Sequence, residues 1–157
     1  NMMGDWNSGL EYAYDSVRQA AVLTKIPTAT TMGLSLYIGY SKNWQHVEIP
    51  HETKSVLIDK KTTVKFIYQN RTDVPLITLT FGFANTDVGS GESASGTDFP
   101  VFEAANQVIE AEMGEYEWSV LTIEIPDSYI NIGAYLSKVR MVFEGKEIAI
   151  RGFAIEQ

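Results

Sequence analysis

The stretch LITLTFGFA, Leu76 to Ala84, sets Ile77, Leu79, Phe81 and Phe83 on one side and Thr78, Thr80 and Gly82 on the other. Side chains on a β-strand alternate between faces, so an apolar period of two marks a strand with one face in a core. The pattern recurs along the chain. LSLYI places Leu34, Leu36 and Ile38 inward and Ser35 and Tyr37 outward. WQHVEIP places Val47 and Ile49 inward and Trp44, His46 and Glu48 outward. TTVKFIYQN alternates Val64, Phe66 and Tyr68 against Thr63, Lys65 and Ile67. WSVLTIEIP alternates Leu121, Ile123 and Ile125 against Trp118, Val120, Thr122 and Glu124, and KVRMVFEGK and EIAIRGFAIE complete the set. Turn signals separate these runs: Asn70-Arg71-Thr72-Asp73 with Pro75, Pro126-Asp127-Ser128, and Gly145-Lys146, the last read as a hairpin. Seven or eight such strands predict an all-β fold, an antiparallel β-sandwich, in one domain over residues 1–157.

Two stretches depart from this pattern. LEYAYDSVRQAAVL, Leu10 to Leu23, has helical spacing and good helix formers, with Asn7 or Ser8 as N-cap, and reads as one short helix near residues 10–22. VFEAANQVIEAEM, Val101 to Met113, also reads as helix on propensity. In an all-β chain either becomes strand where tertiary packing overrides propensity. Between the strands, NTDVGSGESASGTDFPVF (Asn85 to Phe102) has no apolar period, and loops of that length usually either act or are disordered.

The chain holds 20 Asp and Glu against 12 Lys and Arg, a net charge of −8, and no basic cluster larger than Lys60-Lys61. A nucleic-acid or membrane-surface partner needs a basic face, so neither is expected. No apolar run reaches the ~18 residues that span a bilayer, which argues against membrane insertion. The absence of cysteine removes disulfides, thiolate chemistry and Cys-based zinc sites. The opening NMMGDW reads as a domain cut from a longer chain, with other domains of that chain as partners.

Enzyme chemistry finds little support. GESAS, Gly91 to Ser95, approaches the G-x-S-x-G nucleophile elbow but ends in Ser95 and lies in a loop. His46 and His51 stand five apart across Pro50 and lack the H-E-x-x-H helix that directs two histidines at zinc. The paired acids Glu110/Glu112, Glu115/Glu117 and Glu124/Asp127 are close in sequence, but same-strand neighbours two apart do not demonstrate the two carboxylates facing across a cleft that a glycosidase needs. No catalytic residue and no cofactor are expected. Asp87, Glu92 and Asp98 could offer oxygens to calcium, but solvated acids are the commoner explanation and no metal site is assigned.

The outward aromatics carry a stronger signal. Trp44, Tyr37, Tyr116 and Trp118 occupy outward positions by the alternation, beside Gln, Glu, His and Thr. A sugar ring stacks its C–H face on an aromatic ring while its hydroxyls find paired donors and acceptors, and Tyr and Trp suit such half-wet sites. The candidate ligand-binding residues are therefore Trp44, Tyr37, Tyr116 and Trp118, with hydrogen bonds from His46, Glu48 or Asp98. The competing reading is that these aromatics pack under a loop or a neighbouring segment.

Several segments resemble one family. Asn1-Met2-Met3 followed by Trp6 and Gly9, the run WQHVEIPHETKSVLIDKKTTVKFIYQN, YEWSVLTIEIP, and the closing pair KVRMVFEGKEIAIRGFAIEQ look like the jelly-roll carbohydrate-binding-module-like domains. Such domains occur in polysaccharide-degrading enzymes and in bacteriophage tail and baseplate proteins. The resemblance implies a jelly roll, a saccharide or polysaccharide ligand, no catalysis, and a place in a virion tail or otherwise outside the cell. Many enzyme-linked members carry Asp-Asp in the last strand, where this chain has Ile150-Arg151-Gly152-Phe153, so the family's structural calcium is not carried over. The expectation is a phage tail or baseplate module that recognises a bacterial surface saccharide. Alternatives are a module of a secreted polysaccharide-degrading enzyme, or a virion spacer or protein-docking domain that binds no sugar.

Overall fold

The computed structural model describes residues 7–37, 55–70, 76–87, 98–110, 114 and 117–157. The two-residue alternation is realised there in eleven strands: β1 (Asn7–Ser8), β2 (Leu10–Asp15), β3 (Ala20–Lys25), β4 (Thr31–Tyr37), β5 (Val56–Leu57), β6 (Thr63–Gln69), β7 (Leu76–Ala84), β8 (Phe102–Val108), β9 (Ser119–Glu124), β10 (Tyr135–Glu144) and β11 (Glu147–Glu156). The first sheet runs β1-β4-β10-β7-β8, with β5 also pairing β10, and the second runs β2-β3-β11-β6-β9. Every pairing among the described residues is antiparallel. The all-β antiparallel sandwich expected from the sequence is the fold observed.

The core lies between the inner faces. The first sheet contributes Met32, Leu34, Leu36, Ile77, Leu79, Phe81, Phe83, Val139, Met141 and Phe143, and the second Leu23, Val64, Phe66, Tyr68, Ile148 and Ile150. Phe66 sits at its centre, with ring centroids 5.4 Å from Tyr68, 5.3 Å from Phe153 and 6.3 Å from Phe143 of the opposite sheet. Near one end Phe83 stacks on Tyr129, whose hydroxyl donates to the Pro100 carbonyl.

The helix expected near residues 10–22 is instead a hairpin, β2 and β3, with Asp15 opposite Ala20. Asp15 makes the turn: its Oδ1 accepts the backbone N–H groups of Val17 and Arg18 at 3.0 and 3.1 Å, and Gln19 takes a positive φ of 54°. Good helix formers lose here because strand pairing lets Leu10, Tyr12 and Leu23 reach the core, which is the tertiary override of propensity. The same override makes a strand, β8, of the start of the stretch at 101–113.

Gly145-Lys146 is also corrected. It does not close a hairpin, because β10 pairs in the first sheet and β11 in the second. The connection crosses between sheets beside the one from β3 to β4, and the Lys25 N–H donates to the Lys146 carbonyl at 2.7 Å. The paired strands β4–β10 and β3–β11 thus continue each other around a corner of the sandwich. Gly9 performs a similar crossing from β1 to β2 at φ +70°, where a Cβ would lie 2.3 Å from the Thr31 carbonyl oxygen.

Candidate functional site

The outer face of the first sheet is built by alternation plus one bulge. On β7 the outward positions are Thr78, Thr80 and Gly82, as the period of two requires. On β10 the inward residues Leu136 and Val139 are three apart, which breaks the period. The register absorbs the difference between Leu136 and Lys138, where Ser137 is the extra residue and its hydroxyl donates to the Gly82 carbonyl at 3.3 Å. Beyond the bulge Lys138, Arg140 and Val142 face outward while Val139, Met141 and Phe143 stay in the core. β8 adds Glu103, and Val101 stands just before it. Together Thr78, Thr80, Gly82, Val101, Glu103, Lys138, Arg140 and Val142 line a groove of about 460 Å³. That volume falls within the range of small-molecule sites, roughly 300–1,000 Å³.

The register orders this face into rungs across the strands. One holds Tyr37, Lys138 and Gly82; the next holds Ser35, Arg140, Thr80 and Glu103. Arg140 Nε donates to Ser35 Oγ at 3.1 Å, which orients the guanidinium on the sheet. Thr78 Oγ1 accepts the backbone N–H of Asn106 at 3.0 Å, a residue held at φ 49° where β8 shifts register against β7. Gly82 bears no side chain, and its buried backbone lines the groove with Val101 and Lys138. Chemically the face offers hydroxyls, two cations and a carboxylate beside small apolar surfaces.

The sequence-predicted residues fall in different places. Trp44, His46, Glu48 and Tyr116 lie outside the described residues. Tyr37 closes β4, and its backbone stands opposite Lys138 on the first sheet. Asp98 holds a loop base near the end of β7: its N–H donates to the Phe83 carbonyl at 3.1 Å and its Oδ2 accepts the Asn85 N–H at 3.0 Å. Asp87 does similar work, accepting both the N–H and the hydroxyl of Ser55 at 3.1 Å. Asp87 and Asp98, two of the three acids with oxygens for calcium, thus tie the ends of the Asn85 to Phe102 stretch to the scaffold, and Glu92 lies outside the described residues. Among the described residues no three His, Cys, Asp or Glu side chains converge as a metal site would require.

Trp118 belongs to the other sheet. It leads into β9 and is half-buried, with the Arg151 guanidinium carbon 5.2 Å from its ring centroid. Arg151 occupies a register shift between Ile150 and Gly152 on β11, again where inward residues, Ile150 and Phe153, are three apart. On this sheet Arg18 Nη1 donates to Gln69 Oε1 at 2.8 Å, and Gln69 Nε2 donates to the Gly114 carbonyl at 3.1 Å. The Glu117 N–H donates to the Gly114 carbonyl, and the Gly114 N–H donates to Glu117 Oε2. Arg18 also pairs with Asp15 at 2.6 Å, and its backbone and guanidinium donors hold the Asp15 carboxyl below the usual carboxylate range. Tyr37 and Trp118 therefore stand on opposite sheets.

The groove residues were partly visible in sequence. Thr78, Thr80 and Gly82 read as outward, but without an aromatic among them they carried no site signal. Lys138 and Arg140 alternate with Val139 and Met141 in KVRMV, which was available to read. Glu103 was hidden by the helical propensity of its segment.

No protein-family model and no curated protein matches the sequence. Among solved structures the chain is similar to a family 29 carbohydrate-binding module from Piromyces equi, with TM-score 0.49 and 11% identity over 97% of this chain and 78% of that one. It is also similar to the enzymatically active domain of tailspike protein 4 of bacteriophage CBA120, with TM-score 0.48 and 9% identity over 98% of this chain and 18% of that one. A CBM4 structure matches with TM-score 0.45 and 12% identity over 95% and 78%.

Proposed function

We propose that the chain is a non-catalytic carbohydrate-binding module that holds a saccharide in the groove on the outer face of the first sheet. The observation that carries this reading is the lining of that groove. Thr80, Glu103, Lys138 and Arg140 supply donors and acceptors at fixed rung positions, and Gly82, Val101 and Val142 supply a low apolar surface between them. A pyranose ring presents the matching pattern, hydroxyls around an edge and C–H groups on a face. Tyr37, on the rung of Lys138 and Gly82, would extend the same face onto β4; Trp44, His46, Glu48 and Asp98 are proposed as rim contacts. Trp118 would serve a ligand only on the second sheet.

A groove open along one side leaves much of a sugar in water, so single-site affinity is weak and copies on a particle would supply avidity. The sequence resemblance supports the finer reading of host adhesion, in which a phage tail or baseplate protein recognises a bacterial surface saccharide outside the cell.

The test is an array of bacterial surface and plant glycans, followed by titration of a responding oligosaccharide. Thr80→Val removes one hydroxyl from the groove at nearly constant volume. Loss of one hydrogen bond is worth about 0.5–1.5 kcal/mol, so this variant should bind roughly 2- to 12-fold more weakly. Its stability should stay within about 0.5 kcal/mol of the parent. A protein that answers no glycan, or a Thr80→Val variant that binds as well as the parent, would count against the groove.

A further inference from the structure

β10 carries an aromatic side chain on the outer face of the first sheet, beyond the residues that line the groove. Counted in twos from Met141 and Val139, Tyr135 would point into the core. The extra residue at Ser137 reverses the count, so Leu136 turns inward and Tyr135 outward. The pairing agrees: Leu136 stands opposite Phe83 and Val56, all three in the core, and Tyr135 stands opposite Ala84 and Leu57. The rung of Tyr135 and Ala84 therefore follows those of Lys138–Gly82 and Arg140–Thr80 along one face. At about 7 Å per pair of residues, it lies roughly 14 Å from the rung of Thr80. Tyr135 is half-buried without packing on the core, and Leu57 beside it is 38% exposed. Beyond Ala84 the Asp98 N–H donates to the Phe83 carbonyl and Asp98 Oδ2 accepts the Asn85 N–H, which sets Asp98 at the end of this rung.

We infer that Tyr135, flanked by Leu57, is a second subsite on which a further pyranose ring of the same saccharide chain stacks. This rests on the carbohydrate reading above and adds a length requirement: the ligand is an oligosaccharide laid along β10, not a single sugar. A phenol presents an apolar face and a wet tip, and covering it and Leu57 with the C–H face of a sugar removes apolar surface from water. Asp98, at the end of the rung, offers a carboxylate oxygen to a hydroxyl of that ring. A half-buried tyrosine more often serves packing, but Tyr135 makes no ring contact and its hydroxyl no hydrogen bond among the described residues. Its hydroxyl is left to water or to a ligand. The distance to Thr80 is longer than one pyranose, so a monosaccharide cannot engage both rungs and a short chain can.

The probes are glucose, mannose and N-acetylglucosamine and their β-1,4-linked dimers to hexamers, titrated calorimetrically against the chain, Tyr135→Ala and Tyr135→Phe. In at least one series the affinity should rise about tenfold between monomer and tetramer. Tyr135→Ala should remove most of that rise and leave the monomer within about twofold of the parent, while Tyr135→Phe, which keeps the ring, should retain it. The unchanged monomer and the rescue by phenylalanine separate lost stacking from lost folding. Affinity that does not depend on length, a rise that survives Tyr135→Ala, or a Tyr135→Phe variant as weak as Tyr135→Ala would overturn the inference while leaving the carbohydrate reading intact. Failure of all three series overturns the inference too, and the glycan array then decides whether the carbohydrate reading falls with it.

Discussion

The two outer faces of this sandwich are built from the same alternation and finish differently. On the second sheet the outward groups engage one another: Arg18 with Asp15 and Gln69, Gln69 with the Gly114 carbonyl, Trp118 with Arg151. On the first sheet small residues, Thr78, Thr80 and Gly82, separate the long side chains of β10 from those of β8, and a groove remains. The face with the described tryptophan is laced together, and the face with threonines and a glycine has room for a ligand. Outward position alone therefore does not identify a binding residue. What matters is whether its neighbours on the rung leave space beside it.

The largest break in this comparison removes both faces together. Phe66→Ala would strip contacts to Tyr68, Phe153 and Phe143 from the centre of the core, at a cost of about 3–5 kcal/mol in denaturant unfolding. Saccharide binding and the second-sheet network should then fail in one transition. A smaller change should damage one face only. Gln69 is fully buried and bridges Arg18 to Gly114, so Gln69→Ala should cost about 1–3 kcal/mol by leaving buried polar groups without it. Affinity for saccharide should be unchanged, the reverse of the outcome for Thr80→Val on the first sheet.

The smallest effect concerns acid. The Asp15 carboxyl is held below its ordinary pKa, first by the backbone N–H of Arg18 and then by the guanidinium. A lowered folded-state pKa contributes stability above the unfolded carboxylate value, near ~4, and that stability is lost as pH falls through the lower folded value. Asp15→Asn should accordingly show a shallower loss of melting temperature than the parent between about pH 5 and pH 2. Parallel curves would mean that the β2–β3 turn does not draw on the charge of Asp15.

How much of this was legible depends on which interaction decides each element. β6 and β7 could be read residue by residue, because Val64, Phe66, Ile77, Leu79 and Phe81 keep an unbroken period of two set by a single buried face. The β2–β3 hairpin was not, since Glu11, Ala13, Arg18 and Ala20 are good helix formers and only pairing with β11 settles their state. The phase jumps from Leu136 to Val139 and from Ile150 to Phe153 are visible in the sequence, yet they require knowing that a strand continues through them. Gly145-Lys146 has the composition of a tight turn. Whether it joins neighbours in one sheet or crosses between two depends on partners far away in the chain, β4 and β3. The groove was least legible of all. It needs β7, β8 and β10 side by side, and no local pattern encodes that order.

The proposed function places saccharide on the first sheet and not on the second. The direct measurement is an amide NMR titration of the assigned protein with an oligosaccharide that responds on the array. Progressive shifts are expected at Thr78, Thr80, Gly82, Glu103, Lys138 and Arg140, with Val22, Gln69, Ala149 and Arg151 unmoved. Shifts centred on Trp118 and Arg151, with the β7 and β10 amides still, would contradict it.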